Sequence, residues 1–141
     1  MSNHKILIVE DDADVRLGYQ VLLKANRYDT FFAADSSFAI TEARKHQPDL
    51  IILDLGLPAG DGFIVLERLR AITNLAQIPV VVVSARDFHG NKESALKAGA
   101  RAYVQKPWND SELLAIISQQ LGQSDAATAT VGSPVRETLA N

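Results

Sequence analysis

Leu50-Ile51-Ile52-Leu53-Asp54 is the stretch on which the fold turns. Four apolar residues in a row end on a carboxylate. A strand with one face in water alternates apolar and polar side chains, whereas a strand covered on both faces reads as an unbroken apolar run. Four residues are too few for a helix, and Pro48 just ahead disfavours helix in the residue before it. Working outward, Lys5-Ile6-Leu7-Ile8-Val9 and Pro79-Val80-Val81-Val82-Val83 have the same buried-strand character. Thr30-Phe31-Phe32-Ala33 and Ala102-Tyr103-Val104 are weaker runs that bring the number of strands to five.

Stretches at helical spacing separate the strands. Val15, Tyr19 and Leu22 recur at i, i+4, i+7 and predict a helix over about 13–26. Asp35-Ser36-Ser37 offers side-chain oxygens to the orphan N–H groups of a first turn, and the helix that follows runs to about His46, before Pro48. Residues 61–72 form a third helix, opened by Asp61 and carrying Ile64, Leu66, Leu69 and Ile72. A short helix over about 90–98 ends at Gly99, which accepts the left-handed conformation of a helix end. Asn109-Asp110-Ser111 caps a last helix through about Leu121. Strict alternation with buried strands predicts an α/β fold: a parallel sheet, helices on both faces and right-handed crossovers.

Of 141 residues, 47% are apolar and 22% charged, which suits one packed domain. The expected domain covers residues 4–122. Beyond it, Ser124 to Asn141 is rich in Ala, Thr and Ser without an apolar period, so 123–141 reads as a flexible tail or the start of a linker. A net charge of −3 with no basic run argues against direct nucleic-acid contact. With no cysteine there is no disulfide, thiolate metal site or cysteine nucleophile. The N-terminus lacks the pattern of a signal peptide and no apolar stretch approaches bilayer length, so a cytoplasmic location without membrane contact is expected.

Ligands of open parallel sheets bind beyond the carboxyl ends of the strands. Glu10, Asp11 and Asp12 follow the first strand, Asp54 the third, Ser84 the fourth and Lys106 the fifth. Clustered carboxylates resist ionisation together unless a cation joins them. Hard oxygens without His or Cys suit Mg²⁺. A carboxylate can also act as a nucleophile and form an acyl phosphate. The transferred group spreads charge over three oxygens, which calls for a cation, an ammonium and a hydroxyl donor. Asp54 as nucleophile, Asp11 as the main metal ligand, Lys106 as counter-charge and Ser84 as donor fill these roles. Taken singly, each has an ordinary reading: an acidic triplet at a helix start, a turn aspartate, a quiet serine, a surface lysine. Their convergence at four strand ends favours the joint reading.

With these residues in view, the chain resembles the receiver domains of two-component response regulators, CheY-like, over about residues 4–122. The resemblance rests on Ile6 to Asp12, Pro48 to Pro58, Asp61-Gly62, Val83-Ser84-Ala85, Gly99-Ala100 and Tyr103 to Pro107. It implies a doubly wound, flavodoxin-like (βα)5 fold with strand order 2-1-3-4-5. It implies Glu10 and Asp11 as the acidic pair, Asp54 as phosphoacceptor and the Gly56 carbonyl as a backbone ligand of Mg²⁺. Ser84 and Tyr103 match the family's switch residues and Lys106 its lysine, with a cis bond before Pro107. The implied donor is the phosphohistidine of a sensor histidine kinase or a histidine phosphotransfer protein. The implied output is a face made of the fourth helix, fifth strand and fifth helix, turned toward a downstream protein, an output domain or a phosphorylation-dependent homodimer. Such a domain is no enzyme beyond its own phosphoryl transfer and slow autodephosphorylation.

Two other readings share part of the pattern. A Mg²⁺-dependent phosphatase with an aspartyl nucleophile needs a second acid two residues on, where this chain has Gly56. A pure interaction module would not need the acidic pair, Asp54, Ser84 and Lys106 together. Arg27-Tyr28 stands where the family often has Gly-Tyr, and Gly56 and Arg86 border the site in ways that bear on phosphoryl lifetime. Trp108 reads as a packing or partner-facing residue.

Overall fold

A computed structural model describes residues 3–57, 62–85 and 88–122. The expectations placed on Asp61, on Arg86 and on 123–141 lie outside these residues. Five strands and five helices alternate: β1 (Lys5–Val9), α1 (Ala13–Ala25), β2 (Asp29–Ala33), α2 (Ser36–His46), β3 (Leu50–Leu53), α3 (Gly62–Ala71), β4 (Val80–Ser84), α4 (Phe88–Lys97), β5 (Ala102–Gln105) and α5 (Asp110–Gln120). All strand pairs are parallel, in the order β2-β1-β3-β4-β5. That is the doubly wound, flavodoxin-like arrangement.

Side chains of alternate strand residues leave opposite faces of the sheet. Leu7, Val9, Ile51, Leu53, Val80 and Val82 pack with Ala39 and Ala43 of α2, Val65, Leu66 and Leu69 of α3, and Ala95 of α4. Ile6, Ile8, Leu50, Ile52, Val81 and Val83 pack with Tyr19 and Leu23 of α1 and Leu113 and Ile117 of α5. The apolar runs are thus buried on both faces, and every residue of β3 and β4 is buried. Full burial of each Val, Leu or Ile side chain stabilises by roughly 1.5–3 kcal/mol.

The elements differ from the sequence reading by a residue or two at most ends. β4 runs one residue later than the apolar run, so Ser84 closes the strand rather than following it. Its pairing with Gln105 continues the ladder past the last valine. α4 starts at Phe88, earlier than expected. Arg27 takes φ 68°, so the turn in which the family often has glycine keeps its left-handed conformation here on a larger residue. Gly99 has φ 115°, as its place after α4 predicts. No helix of the described residues is long and apolar enough to cross a membrane.

Candidate functional site

The carboxyl ends of β1, β3 and β5 meet at one rim of the sheet. The β1–β3 register pairs Val9 with Leu53, so the acids that follow each strand emerge side by side. The Asp54 N–H donates to the Val9 carbonyl at 3.1 Å, and the Glu10 N–H donates to the Ala33 carbonyl at 3.0 Å. These bonds carry the ladder one step past the strands and fix both backbones. Arg16 Nη1 of α1 donates to the Glu10 carbonyl at 2.8 Å. Asp12 caps α1, its Oδ1 accepting from the N–H groups of Asp14 at 2.8 Å and Val15 at 3.1 Å. Of the acidic triplet, Asp12 is spent on the helix, while Glu10 and Asp11 turn to the rim.

Glu10, Asp11 and Asp54 each bring one carboxylate oxygen within 4.8 Å of the others. Glu10 and Asp54 are buried, whereas Asp11 is exposed. The Lys106 ammonium joins them, with Nζ 2.8 Å from Glu10 Oε1 and 3.3 Å from Asp54 Oδ2. The Gly56 N–H donates to Asp54 Oδ1 at 2.8 Å, and the Asp12 N–H donates to Glu10 Oε2 at 3.2 Å. A β-carbon on Gly56 would stand 3.3 Å from Asp54 Oδ1, so the glycine keeps space open beside that oxygen.

Burial pushes the Glu10 carboxyl above its ordinary range, and the nearby Asp54 charge adds to this against the pull of Lys106. For Lys106, burial alone would lower the ammonium. The bond it donates to Glu10 and the charges of Asp54 and Glu10 outweigh it, and the net shift is upward. The lysine therefore stays charged between the two acids. Three hard oxygen ligands without nitrogen or sulfur match what Mg²⁺ takes from a protein, and a divalent cation would relieve a repulsion that one ammonium only partly offsets.

The structure brings Glu10, Asp11, Asp54, Gly56 and Lys106 together. Ser84 lies fully buried at the end of β4, and its carbonyl accepts the Lys106 N–H at 2.9 Å. Tyr103 is buried in the core on the face of α2, α3 and α4. The Lys106–Pro107 bond is cis. Trp108 is a packing residue. Its ring stacks on Tyr19 of α1 with centroids 4.3 Å apart and planes 18° apart. Sequence reasoning had no signal for that partnership, or for Arg16 holding the Glu10 carbonyl, because both depend on how α1 lies against the sheet.

The model of the response regulator receiver domain matches residues 6–118. The chain belongs to that family and is the receiver domain of a two-component response regulator. It is 40% identical over 124 residues to the KDP operon transcriptional regulatory protein KdpE of Escherichia coli, covering 88% of this chain and 54% of KdpE. It thus spans about half the length of that relative. Among solved structures, the receiver domain of sensor histidine kinase PA1611 from Pseudomonas aeruginosa, with a magnesium ion coordinated in its active site cleft, is 29% identical. It superposes with a TM-score of 0.79 over 86% of this chain and 100% of that one. The BeF3-activated N-terminal receiver domain of Klebsiella pneumoniae RstA is 30% identical, with a TM-score of 0.78 over 84% of this chain and 99% of that one.

Proposed function

We propose that Asp54 accepts a phosphoryl group from the phosphohistidine of a sensor histidine kinase or histidine phosphotransfer protein. An Asp54 carboxylate oxygen forms the new P–O bond as the P–N bond of the donor breaks, and the electron pair leaves with the imidazole nitrogen. The observation that carries this reading is the Lys106 ammonium held 3.3 Å from Asp54 Oδ2 while Glu10 holds its other side at 2.8 Å. A cation so anchored neutralises charge gathering on the transferred group at no cost in reorganisation. Glu10, Asp11, Asp54 and the Gly56 carbonyl would hold Mg²⁺, which supplies further positive charge opposite the phosphoryl oxygens.

Ser84 is the switch hydroxyl that turns to the phosphoryl group, and Tyr103 follows into the space it leaves. Phosphorylation then shifts an existing two-state equilibrium at the face of α4, β5 and α5. That face addresses a downstream protein, an output domain or a second copy, and the domain itself makes no nucleic-acid contact. KdpE is a transcriptional regulator, which supports an output in gene control. The receiver unit is residues 4–122, with 123–141 a tail or the start of a linker.

Incubation with acetyl phosphate and Mg²⁺ should add one phosphoryl group, read by intact-mass spectrometry, and Asp54→Asn should add none. Beryllofluoride with Mg²⁺ should shift amide resonances chiefly in α4, β5 and α5. An Asp54→Asn protein that kept either response would refute the assignment.

A further inference from the structure

The proposed chemistry does not use Trp108, the one tryptophan of the chain, yet it stands two residues from Lys106. The Lys106 N–H makes the last bond that ties this segment to the sheet, to the Ser84 carbonyl at 2.9 Å. Pro107 has no N–H to offer. The next fixed point is Trp108, whose ring stacks on Tyr19 and whose Nε1–H donates to Asp110 Oδ1 at 2.8 Å. Asn109 follows as the N-cap of α5, accepting the Glu112 N–H at 3.0 Å. Tyr19 is 1% exposed and packs in one cluster with Ile6, Ile8 and Leu23. Its phenol is held well above its ordinary range by burial and by the Glu10 and Asp54 charges, so it adds no further negative charge to the rim.

Among the described residues, the Lys106–Glu10 ion pair and the Tyr19–Trp108 stack both join the α1 side of the rim to the loop between β5 and α5. An open groove of about 460 Å³ runs between α1 and this loop, lined by Val15, Gly18, Lys106, Pro107 and Trp108 among others. A β-carbon on Gly18 would meet nothing within 4 Å, so α1 does not pack there to steady the loop. A lysine side chain has several rotatable bonds, and its ammonium goes where its backbone permits. We infer that Trp108, through its stack on Tyr19, is a positioning residue for Lys106: it fixes the loop against α1 so that one ammonium reaches Glu10 and Asp54 together. This rests on the proposed role of Lys106 in phosphoryl acceptance.

The test compares rate constants for phosphorylation by acetyl phosphate at saturating Mg²⁺, read by mass spectrometry, on variants shown to be folded by circular dichroism. Trp108→Leu should lower the rate roughly tenfold, less than the roughly hundredfold that a misplacement of about 1 Å can cost. Trp108→Phe, which keeps a stacking ring, should recover most of it. In a Lys106→Ala background, Trp108→Leu should cost nothing further, because its effect acts through the lysine. A Trp108→Leu protein with the wild-type rate, or one whose loss persists undiminished without Lys106, overturns the inference. Tyr19→Leu against Tyr19→Phe breaks and keeps the same stack from α1, and decides by the same criteria if Trp108→Leu does not fold. The Lys106 Nζ resonance, followed by NMR without any phosphodonor, should move in Trp108→Leu and hold in Trp108→Phe. That readout tells the two readings apart. A wild-type protein that takes no phosphoryl group sinks the acceptor role, whereas an unmoved lysine resonance sinks the positioning role.

Discussion

A β-carbon built on Gly62 would stand 2.5 Å from the Leu55 Cα and 2.9 Å from the Asp54 carbonyl oxygen. Both are backbone atoms with nowhere to go. Gly62→Ala should therefore push the start of α3 away from Leu55 and Asp54 and destabilise by roughly 1–3 kcal/mol, the range for overpacking a tight site. Urea denaturation measures it, and an unchanged midpoint would show that the chain here gives way freely. Lys106 poses the opposite problem. Lys106→Met keeps the aliphatic stem but leaves buried Glu10 facing Asp54 without its ammonium partner. A loss of about 1–3 kcal/mol at neutral pH is expected, the cost of a buried polar group deprived of its partner. The raised lysine stays charged past its ordinary 10.5, and on the alkaline side the pair's contribution fades only as the pH climbs through the still higher folded value; on the acid side it is lost when Glu10, whose carboxyl is raised, takes up a proton. The difference between variant and wild type should accordingly persist at pH 7–9 and shrink in strong alkali and in acid. The acids and the lysine were legible in the sequence because apolar strand runs end on them. The reason for Gly62 was not legible, since its neighbour Leu55 meets it only after the chain has folded back.

Helix ends carry much of what local sequence can say. Asp12, Asp35 and Asn109 each cap a helix by accepting an N–H of the first turn, and the sequence named all three segments. Asn109→Ala removes the cap of α5 and should cost about 1 kcal/mol, seen as a lower thermal midpoint. Because Asn109 directly follows Trp108, retention of full stability would mean that the loop, not the cap, holds the helix start. Asp35 adds a pH dependence. The Ser37 hydroxyl at 2.7 Å and the Phe38 N–H at 3.1 Å bond its carboxylate and hold it below the ordinary 3.8. A lowered folded value gives stability that is present above 3.8 and lost as the pH falls through that folded value. Asp35→Asn keeps an acceptor without the charge, so its stability gap to wild type should close below pH 3.8, measured by acid titration of the circular dichroism signal. Strand ends were read less well. β4 reaches Ser84 because ladder bonds to β5 extend it, whereas apolar patterning stops at Val83. Gln47 leaves α2 with φ 48°, and Pro48 marked that boundary without revealing the turn.

Alternation of strands and helices made the α/β class legible across the whole molecule, but not the order of the strands, which came from the family resemblance. Order depends on which crossover covers which face. The two cores sort this out: α1 and α5 share one side and α2, α3 and α4 the other. With that order β1 and β3 are neighbours, and the acids that follow them are forced into one pocket that burial makes costly. Folding thus brings together charges that the unfolded chain keeps apart, and a ligand that binds only the folded pocket must stabilise the entire domain by mass action. Mg²⁺ at about a hundred times its dissociation constant should raise the unfolding free energy by roughly 2.7 kcal/mol, while sodium chloride at equal ionic strength should not. Asp11 is exposed, so Asp11→Asn should fold almost as well without Mg²⁺ yet lose most of the Mg²⁺-dependent gain in urea denaturation. If magnesium stabilised Asp11→Asn as much as the wild type, the cation would be acting elsewhere on this acidic protein, and the rim where β1 and β3 end would have to be read as a lysine-neutralised acid pair alone.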